Sequence, residues 1–210
     1  FFFYTTAFMM IFGSFFFWLF QALDDRPISW LDAFFQSATA RTAGFNSIPL
    51  KELTGSSVIL MIILMQIGAS PGSTGGGIKT TTVALAAAAI FNTFLGNQRV
   101  LAFKREIPPG NVLKAFALIV TYIFLNCVGA LMLESLTPCT TEWAFFESVS
   151  ALSTVGLALD NREPMTAAAK IFLVFYMFLG RVGLFTFFLF LLGRERQSRL
   201  IYPSERVIVS

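Results

Sequence analysis

The chain of 210 residues contains no histidine, and only 13% of its residues are charged. Without histidine, a serine–histidine–aspartate triad and a histidine-ligated metal site are both excluded within this chain. A soluble domain carries about 25% charged residues, so the low charge content indicates a membrane protein. The two cysteines, Cys127 in an apolar run and Cys139 in a polar loop, do not make a disulfide framework. We expect both thiols to be free.

Apolar residues are what the chain has in excess, since 56% of it is hydrophobic and 26 residues are Phe. Four apolar blocks are long enough to cross a bilayer, which takes about 20 residues each. These blocks are residues 1–23, 54–95, 112–136 and 164–192. The blocks predict an all-α membrane protein. Because the chain begins at Phe1 inside an apolar run, without a charged segment before it, we expect a longer protein and not a signal peptide.

A pattern of short helix and Thr-x-Gly turn occurs twice, each time between two of these blocks. Residues 29–40 and 141–152 are too short to span the bilayer and predict two re-entrant pore helices. A glycine that only ends a helix is the alternative for either turn alone. Two copies favour a filter in which backbone carbonyls replace the water shell of a cation. The candidate filter residues are Thr42, Ala43, Gly44 and Phe45 in segment 41–45, and Thr154, Val155, Gly156 and Leu157 in segment 153–157.

The two copies differ by one residue just before the turn. Arg41 directly precedes the first Thr-x-Gly turn, whereas Leu152 and Ser153 occupy the corresponding stretch of the second copy. We expect Arg41 to anchor the first pore helix. The extra residue means that the filter cannot be strictly symmetric.

A glycine-rich segment, residues 68–79, interrupts the second apolar block, which is about twice as long as one crossing needs. No helix persists through Pro71 and its neighbouring glycines. Irregular backbone at membrane depth is tolerated where it is buried in protein or lines water, so the segment predicts a gate below the filter. The alternatives are a cytoplasmic loop between two separate crossings and a phosphate-binding loop, which lacks the required strand–loop–helix context. The candidate gate residues are Ser70, Pro71, Gly72, Ser73, Thr74, Gly75, Gly76, Gly77, Ile78 and Lys79.

A single arginine, Arg181, stands in the middle of the fourth block. A charge there costs at least about 2.5–3.5 kcal/mol on insertion scales, so we expect it to face the protein interior and a polar partner. Its role is a structural ion pair or carbonyl clamp, an electrostatic barrier to cations, or both. Basic residues are concentrated in the linker 96–111 and the tail 194–210. The positive-inside rule therefore predicts both segments in the cytoplasm and both turns near the outer face.

Segments 40–46, 68–82, 153–157 and 180–183 together resemble the Trk/Ktr/HKT superfamily of potassium transporters, and residues 202–209 resemble the C-terminus of the Ktr-type membrane subunit. The resemblance implies four repeats of membrane helix, pore helix and membrane helix around one pore. This chain would supply the third repeat, residues 1–95, and the fourth, residues 112–193. The first two repeats would be missing. Arg181 would face the glycine-rich segment.

The resemblance also implies K⁺ at the filter carbonyls and K⁺ uptake across the plasma membrane. Some Ktr-type systems depend on Na⁺, which leaves Na⁺ open as a coupling or transported ion. The implied partners are membrane lipid, a second copy of the subunit and a cytoplasmic RCK-type nucleotide-binding ring, with no nucleic acid. No covalent cofactor and no enzyme activity are expected. The alternatives are a membrane scaffold or accessory subunit with degenerate pore loops, and a two-repeat channel that dimerises.

Overall fold

The computed structural model of the protein describes residues 2–68, 70, 72, 75–96, 100–102, 105–159 and 164–184. These residues form a mostly helical structure, as the sequence predicts. One short antiparallel hairpin departs from the all-α expectation, because Leu101 pairs with Glu106 and Ala102 with Arg105 within the linker. The elements are α1 (Phe2–Leu23), α2 (Trp30–Thr39), a 3-10 turn (Leu50–Glu52), α3 (Gly55–Gln66), α4 (Thr80–Phe94), β1 (Leu101–Ala102), β2 (Arg105–Glu106), α5 (Pro109–Leu136), α6 (Thr141–Leu152) and α7 (Ala167–Val182).

Within the part of the chain that the structure describes, two helices, α1 and α5, are long and apolar enough to cross a membrane by length and composition. Helices α3 and α4 are also apolar but shorter, with 12 and 15 residues. The described part of α7 has 16 residues, and the end of the predicted fourth block lies outside the described residues. The predicted tail 194–210 lies there as well.

The short helices α2 and α6 begin at the same kind of hydroxyl cap. Ser29 Oγ accepts a hydrogen bond from the Asp32 N–H at 3.0 Å, and Thr140 Oγ1 accepts one from the Trp143 N–H at 3.3 Å. These caps satisfy N–H groups that have no partner inside a helix. With 10 and 12 residues, the two helices are about 15 and 18 Å long, roughly half the thickness of the hydrocarbon core.

Helix α6 joins the two halves of the chain through two clusters of buried side chains. Fully buried side chains of α1 and α3 pack with those of α6: Phe17, Met61, Met65, Phe146 and Val149. A second cluster fills the space between α5, α6 and α7: Leu133, Trp143, Leu152, Ala169 and Tyr176. Helix α6 therefore touches both halves, which brings its end close to the first half of the chain.

Large apolar side chains are also exposed on the outer surfaces of α1, α4 and α7. Phe8 on α1 is 63% exposed, Phe94 on α4 is 88% exposed and Ile171 on α7 is 72% exposed. Exposed apolar surface of this kind favours contact with lipid or with further protein, since water-soluble monomers rarely present it. Both cysteines are free, as predicted, with Cys127 exposed on α5.

Candidate functional site

The two Thr-x-Gly turns have the same unusual backbone. The φ angle is +67° at Thr42 and +77° at Gly44, and it is +56° at Thr154 and +89° at Gly156. Positive φ is rare for residues other than glycine, and among the described residues only Asp25 shares it with the two threonines. The turn after α2 and the turn after α6 are therefore two copies of one strained conformation, which clusters at functional sites.

The structure brings these turns against each other. A Cβ atom added to Gly44 would lie 2.5 Å from the Val155 carbonyl oxygen and 3.7 Å from the Gly156 Cα. A Cβ atom added to Gly156 would lie 4.0 Å from the Gly44 Cα. Only a glycine fits at Gly44, because real Cβ atoms do not approach a carbonyl oxygen so closely. All eight candidate filter residues therefore belong to two neighbouring turns.

A hydroxyl near the end of each short helix holds the residue that follows the glycine. Thr39 Oγ1 donates to the Phe45 carbonyl oxygen and accepts from the Phe45 N–H at 2.8 Å. Ser150 Oγ donates to the Leu157 carbonyl oxygen at 2.5 Å. The carbonyls of Phe45 and Leu157, which the sequence predicts as ligands, thus each already accept a hydroxyl. Sequence analysis missed Thr39 and Ser150, although both stand third in aligned Ser-Ala-Thr and Ser-Val-Ser triplets.

A second serine in each short helix binds the preceding long helix. Ser37 Oγ donates to the Met10 carbonyl oxygen at 2.9 Å, and Ser148 Oγ donates to the Asn126 carbonyl oxygen at 3.1 Å. Each serine approaches a glycine of the long helix, Gly13 in α1 and Gly129 in α5. A Cβ atom added at either glycine would overlap the serine hydroxyl, so these contacts need glycine.

The residue before each threonine is tied to the same level of the long helix. Arg41 Nη1 donates to the Thr6 carbonyl oxygen at 3.1 Å, as expected of an anchor. In the second copy, the hydroxyls of Tyr122 and Ser153 lie 2.6 Å apart and are buried. Thr6 and Tyr122 each precede the contact glycine of their helix by seven residues. Different chemistry thus fixes the two turns at matching points.

The glycine-rich segment separates α3, which ends at Gln66, from α4, which begins at Thr80. Its ends are pinned together, because the Gly68 N–H donates to the Ile78 carbonyl at 2.9 Å and the Ile78 N–H donates to the Gln66 carbonyl at 3.0 Å. Lys79 Nζ donates to the Gly75 carbonyl at 2.6 Å. Three of the candidate gate residues lie outside the described residues: Pro71, Ser73 and Thr74.

The segment lies against the second turn. The Gly76 N–H donates to Thr154 Oγ1 at 2.8 Å, and an added Cβ at Gly76 would lie 2.9 Å from the Ser153 carbonyl oxygen. Gly76 is buried, and it contacts the turn through backbone. Near the N-terminal end of the segment, the hydroxyls of Ser70 and Thr6 are 3.5 Å apart.

Helix α7 borders two cavities beside these elements. Gly180, Gly183 and Leu184 face a cavity that Gly77, Ile78 and Lys79 of the glycine-rich segment also line. Arg181 lines the other cavity, together with Thr154, Gly156, Met177 and the buried Glu147. The structure thus places Arg181 beside the second turn, and the neighbouring glycines beside the glycine-rich segment.

Glu147 is a buried acidic residue that sequence analysis missed. Its Oε1 accepts a hydrogen bond from the Leu159 N–H at 3.0 Å, beyond the second turn. Gln36 occupies the same position in α2, and its Nε2 is 3.5 Å from the Ile48 carbonyl oxygen beyond the first turn. The recurrence of a long polar side chain at one helix position was a signal that could have found both.

Comparison with known proteins places the chain among cation transporters. The sequence model of the family TrkH, cation transport protein, matches residues 22–198. Ktr system potassium uptake protein D of Bacillus subtilis (strain 168) is 38% identical over 86% of this chain and 41% of its own length. Ktr system potassium uptake protein B of Vibrio alginolyticus is 33% identical over 97% of this chain and 46% of its own length. Potassium/sodium uptake protein NtpJ of Enterococcus hirae is 36% identical over 85% of this chain and 41% of its own length.

A solved structure has the same fold. The potassium transporter TrkH from Vibrio parahaemolyticus superposes with a TM-score of 0.72 at 23% identity, covering 91% of this chain and 44% of that one. The chain spans about half the length of the curated relatives that it matches. The extent of the family match and the identities to Ktr proteins lead to one assignment: the chain belongs to the TrkH family of cation transport proteins.

Proposed function

We propose that this chain forms half of a K⁺-selective pore through the plasma membrane. One observation carries the proposal: two Thr-x-Gly turns with matching positive φ angles lie against each other at the ends of two short helices. Backbone carbonyls arranged in this way replace the hydration shell of an alkali cation. K⁺ is the proposed ion because the relatives at 33–38% identity are named for potassium uptake. One relative is named for potassium and sodium, so Na⁺ is the competing ion to test.

The proposed ligands are the carbonyls of the two turns. The positive φ at each threonine and glycine, with an ordinary φ between them, turns successive carbonyls differently from a helix or a strand. The carbonyls of Thr42, Ala43 and Gly44 are the first set, and those of Thr154, Val155 and Gly156 the second. Phe45 and Leu157 complete the turns, but their carbonyls share their lone pairs with the hydroxyls of Thr39 and Ser150.

Two turns do not surround an ion, so we infer that two more repeats complete the ring. The chain spans 41–46% of its Ktr relatives, which is the share that the third and fourth of four repeats would have. We propose that repeats 1–95 and 112–193 are these two. A homodimer and a cytoplasmic RCK-type nucleotide-binding ring are the proposed partners, because the chain resembles Ktr-type membrane subunits.

The proposed orientation puts the linker 96–111 and the tail 194–210 in the cytoplasm. Cys139 then faces the outside, between α5 and α6, whereas Cys127 lies mid-helix on α5. We expect a membrane-impermeant maleimide added to intact cells to label Cys139 and leave Cys127 unlabelled. Burial raises the pKa of the Cys139 thiol, and the negative charge of Glu134 raises it further. Because the thiolate is the reacting form, the labelling rate should keep rising above the pH at which an ordinary thiol, with a pKa of about 8.5, is already ionised.

The control for this topology test is Cys139→Ser, which should remove the label. Any further cysteines of the full-length protein are replaced beforehand. Labelling of Cys139 only after the membrane is permeabilised would place this loop in the cytoplasm and invert the proposed topology.

We propose that the glycine-rich segment and Arg181 obstruct the pathway below the filter. Gly76 lies directly against the second turn, and the ends of the segment are pinned by backbone hydrogen bonds. Arg181 lines the cavity beside the same turn, where its charge opposes a cation. We expect Arg181→Gln, or deletion of residues 72–75, to raise K⁺ flux of the full-length protein in liposomes. A barrier lowered by about 1.4 kcal/mol gives a tenfold increase.

The matched control is Lys170→Gln, which removes a like charge from the exposed start of the same helix and should leave the flux unchanged. A fall in flux at normal expression would give Arg181 a purely structural role. A full-length protein that carries no K⁺ under any condition would overturn the proposed function and favour the scaffold or accessory subunit.

A further inference from the structure

Among the described residues of the glycine-rich segment, Gly76 donates a backbone hydrogen bond to the second turn, and none donates one to the first. Thr42 and Thr154 have nearly the same φ, +67° and +56°, so their side chains leave the backbone in equivalent ways. Thr154 Oγ1 accepts the Gly76 N–H at 2.8 Å. Within the described part of the chain, no backbone N–H of the segment donates to the Thr42 hydroxyl. The repeat is therefore symmetric in backbone and asymmetric in its contact with the segment.

The residue before the threonine differs between the two turns, and in the second turn it contacts the segment. Ser153 precedes Thr154 as Arg41 precedes Thr42, but it is a small hydroxyl residue whose side chain is bound to the Tyr122 hydroxyl at 2.6 Å. Its carbonyl oxygen is the atom against which Gly76 rests, 2.9 Å from the position of an added Cβ. Tyr122 is only 3% exposed and Ser153 is fully buried, so this hydrogen bond lies inside the protein. Ser153 thus forms the surface on which Gly76 rests at the base of the second turn.

The hydrogen bond between Gly76 and Thr154 Oγ1 affects cation binding because a hydroxyl oxygen is also a cation ligand. A threonine oxygen binds K⁺ through its lone pairs, and those same lone pairs accept hydrogen bonds. The hydroxyl has two lone pairs, so a backbone N–H that points at the oxygen occupies one of them and places a partial positive charge beside the other. From these observations we propose that the Gly76 N–H and K⁺ compete for Thr154 Oγ1.

This inference rests on the proposed function, and it adds a coupling between the position of the segment and K⁺ binding at the second turn. Contact of the segment with Thr154 lowers the K⁺ affinity of the second turn, and K⁺ at the second turn loosens the segment. Thermodynamic linkage requires the two effects to be equal in size. The obstruction below the filter and the occupancy of the filter are then coupled through one atom, without any movement of the turns themselves.

The test is a double-mutant cycle on K⁺ affinity in the full-length protein. K⁺ affinity is read from the rise in unfolding temperature as K⁺ replaces choline at constant ionic strength. In Gly76→Ala, the added Cβ would be 2.8 Å from Thr154 Oγ1, so the segment must retreat and the hydrogen bond is lost. We expect the half-saturating K⁺ concentration to fall by about two- to tenfold, the range for one hydrogen bond.

The backgrounds in which Gly76→Ala is placed discriminate competition from a general loosening. In Thr154→Val, which removes the hydroxyl, Gly76→Ala should no longer shift the half-saturating concentration. In Thr154→Ser, which keeps the hydroxyl, the shift should return. In Thr42→Val, the matched threonine of the first turn, the shift should persist at full size. An equal shift in the two valine backgrounds, or no shift at all, would overturn the inference.

Hydrogen exchange of the wild-type protein gives a second readout that does not depend on the fold of a variant. If K⁺ displaces Gly76, amide exchange in the peptide covering residues 67–79 should speed up as K⁺ is added, although K⁺ stabilises the protein as a whole. Slower exchange in that peptide, as in the rest of the protein, would contradict competition. A wild type that neither binds nor carries K⁺ would overturn the proposed function itself, and this inference with it.

Discussion

Replacing Gly44 with valine should abolish the discrimination between K⁺ and Na⁺. Gly44 has a φ of +77°, and an added Cβ would lie 2.5 Å from the Val155 carbonyl oxygen. A β-branched residue in this region of φ and ψ is strained by about 1–3 kcal/mol, and the neighbouring backbone cannot rotate away as a side chain could. Both turns must therefore shift. The measurement is the ratio of K⁺ to Na⁺ flux into liposomes that contain the full-length protein.

Gly156 provides a comparison that separates strain from collision. Its φ is +89°, but the nearest atom to an added Cβ is the Gly44 Cα at 4.0 Å. Asparagine tolerates positive φ, so Gly156→Asn should keep part of the selectivity, whereas Gly44→Asn should lose it because the collision remains. Valine should abolish selectivity at either position. Gly55→Val is the control, since nothing lies within 4 Å of an added Cβ at the start of α3.

Unchanged discrimination between K⁺ and Na⁺ in Gly44→Val would mean that these turns do not form the selectivity filter. Loss of selectivity in Gly55→Val as well would mean that the flux assay reports general damage. The graded order, with Gly156→Asn above Gly44→Asn, distinguishes a filter made of both turns from a requirement for flexible glycines alone.

The apolarity and length of the blocks predicted the helices well because a membrane imposes simple rules on them. The break between α3 and α4 followed from Pro71 and its glycines, and the short helices followed from runs too short to span. The predicted start at residue 112 was late, since α5 begins at Pro109. Proline is favoured in the first turn of a helix, where its missing N–H is not needed. A boundary set by apolarity alone leaves Pro109 and Gly110 out and therefore starts the helix too late.

The contacts that hold the turns could not be read from one copy of the motif. In the sequence, Ser37 and Ser148 look like ordinary small polar residues. Their role follows only from the structure, where they pack against Gly13 and Gly129. Their partners are carbonyl oxygens, which every residue has, so no residue type in the sequence marks them. The two repeats, aligned with one insertion, would have shown the recurrence at Thr39 and Ser150.

The place of Arg181 depended on helix rotation, which hydrophobicity does not determine here. Its neighbour Gly180 lines the cavity next to the glycine-rich segment, as does Gly183 just beyond the end of α7. Arg181, one residue further round the helix, lines the cavity next to the second turn. A step of about 100° per residue separates these two directions. The sequence predicted a charge near the pathway, and only packing decided which element it faces.

Gly180 is the position in α7 where a substitution should do the most damage to the fold. An added Cβ there would overlap the Leu152 carbonyl oxygen and lie 2.8 Å from the Leu152 carbonyl carbon. Small residues let helices in membranes approach this closely, and here the neighbour is backbone. We expect Gly180→Val to lower the unfolding temperature of the full-length protein by several degrees, in line with overpacking costs of about 1–3 kcal/mol.

The same substitution should also disturb the second turn and leave the first nearly intact. Leu152 immediately precedes Ser153 and Thr154, so a shift of its carbonyl moves the base of that turn. We therefore expect reduced K⁺ selectivity in whatever Gly180→Val protein remains folded. Gly183→Asn is the matched control, because Gly183 has a φ of +86° and nothing lies within 4 Å of an added Cβ. If Gly183→Asn lowers the unfolding temperature as much as Gly180→Val, the close contact with Leu152 is not what holds α7 against α6.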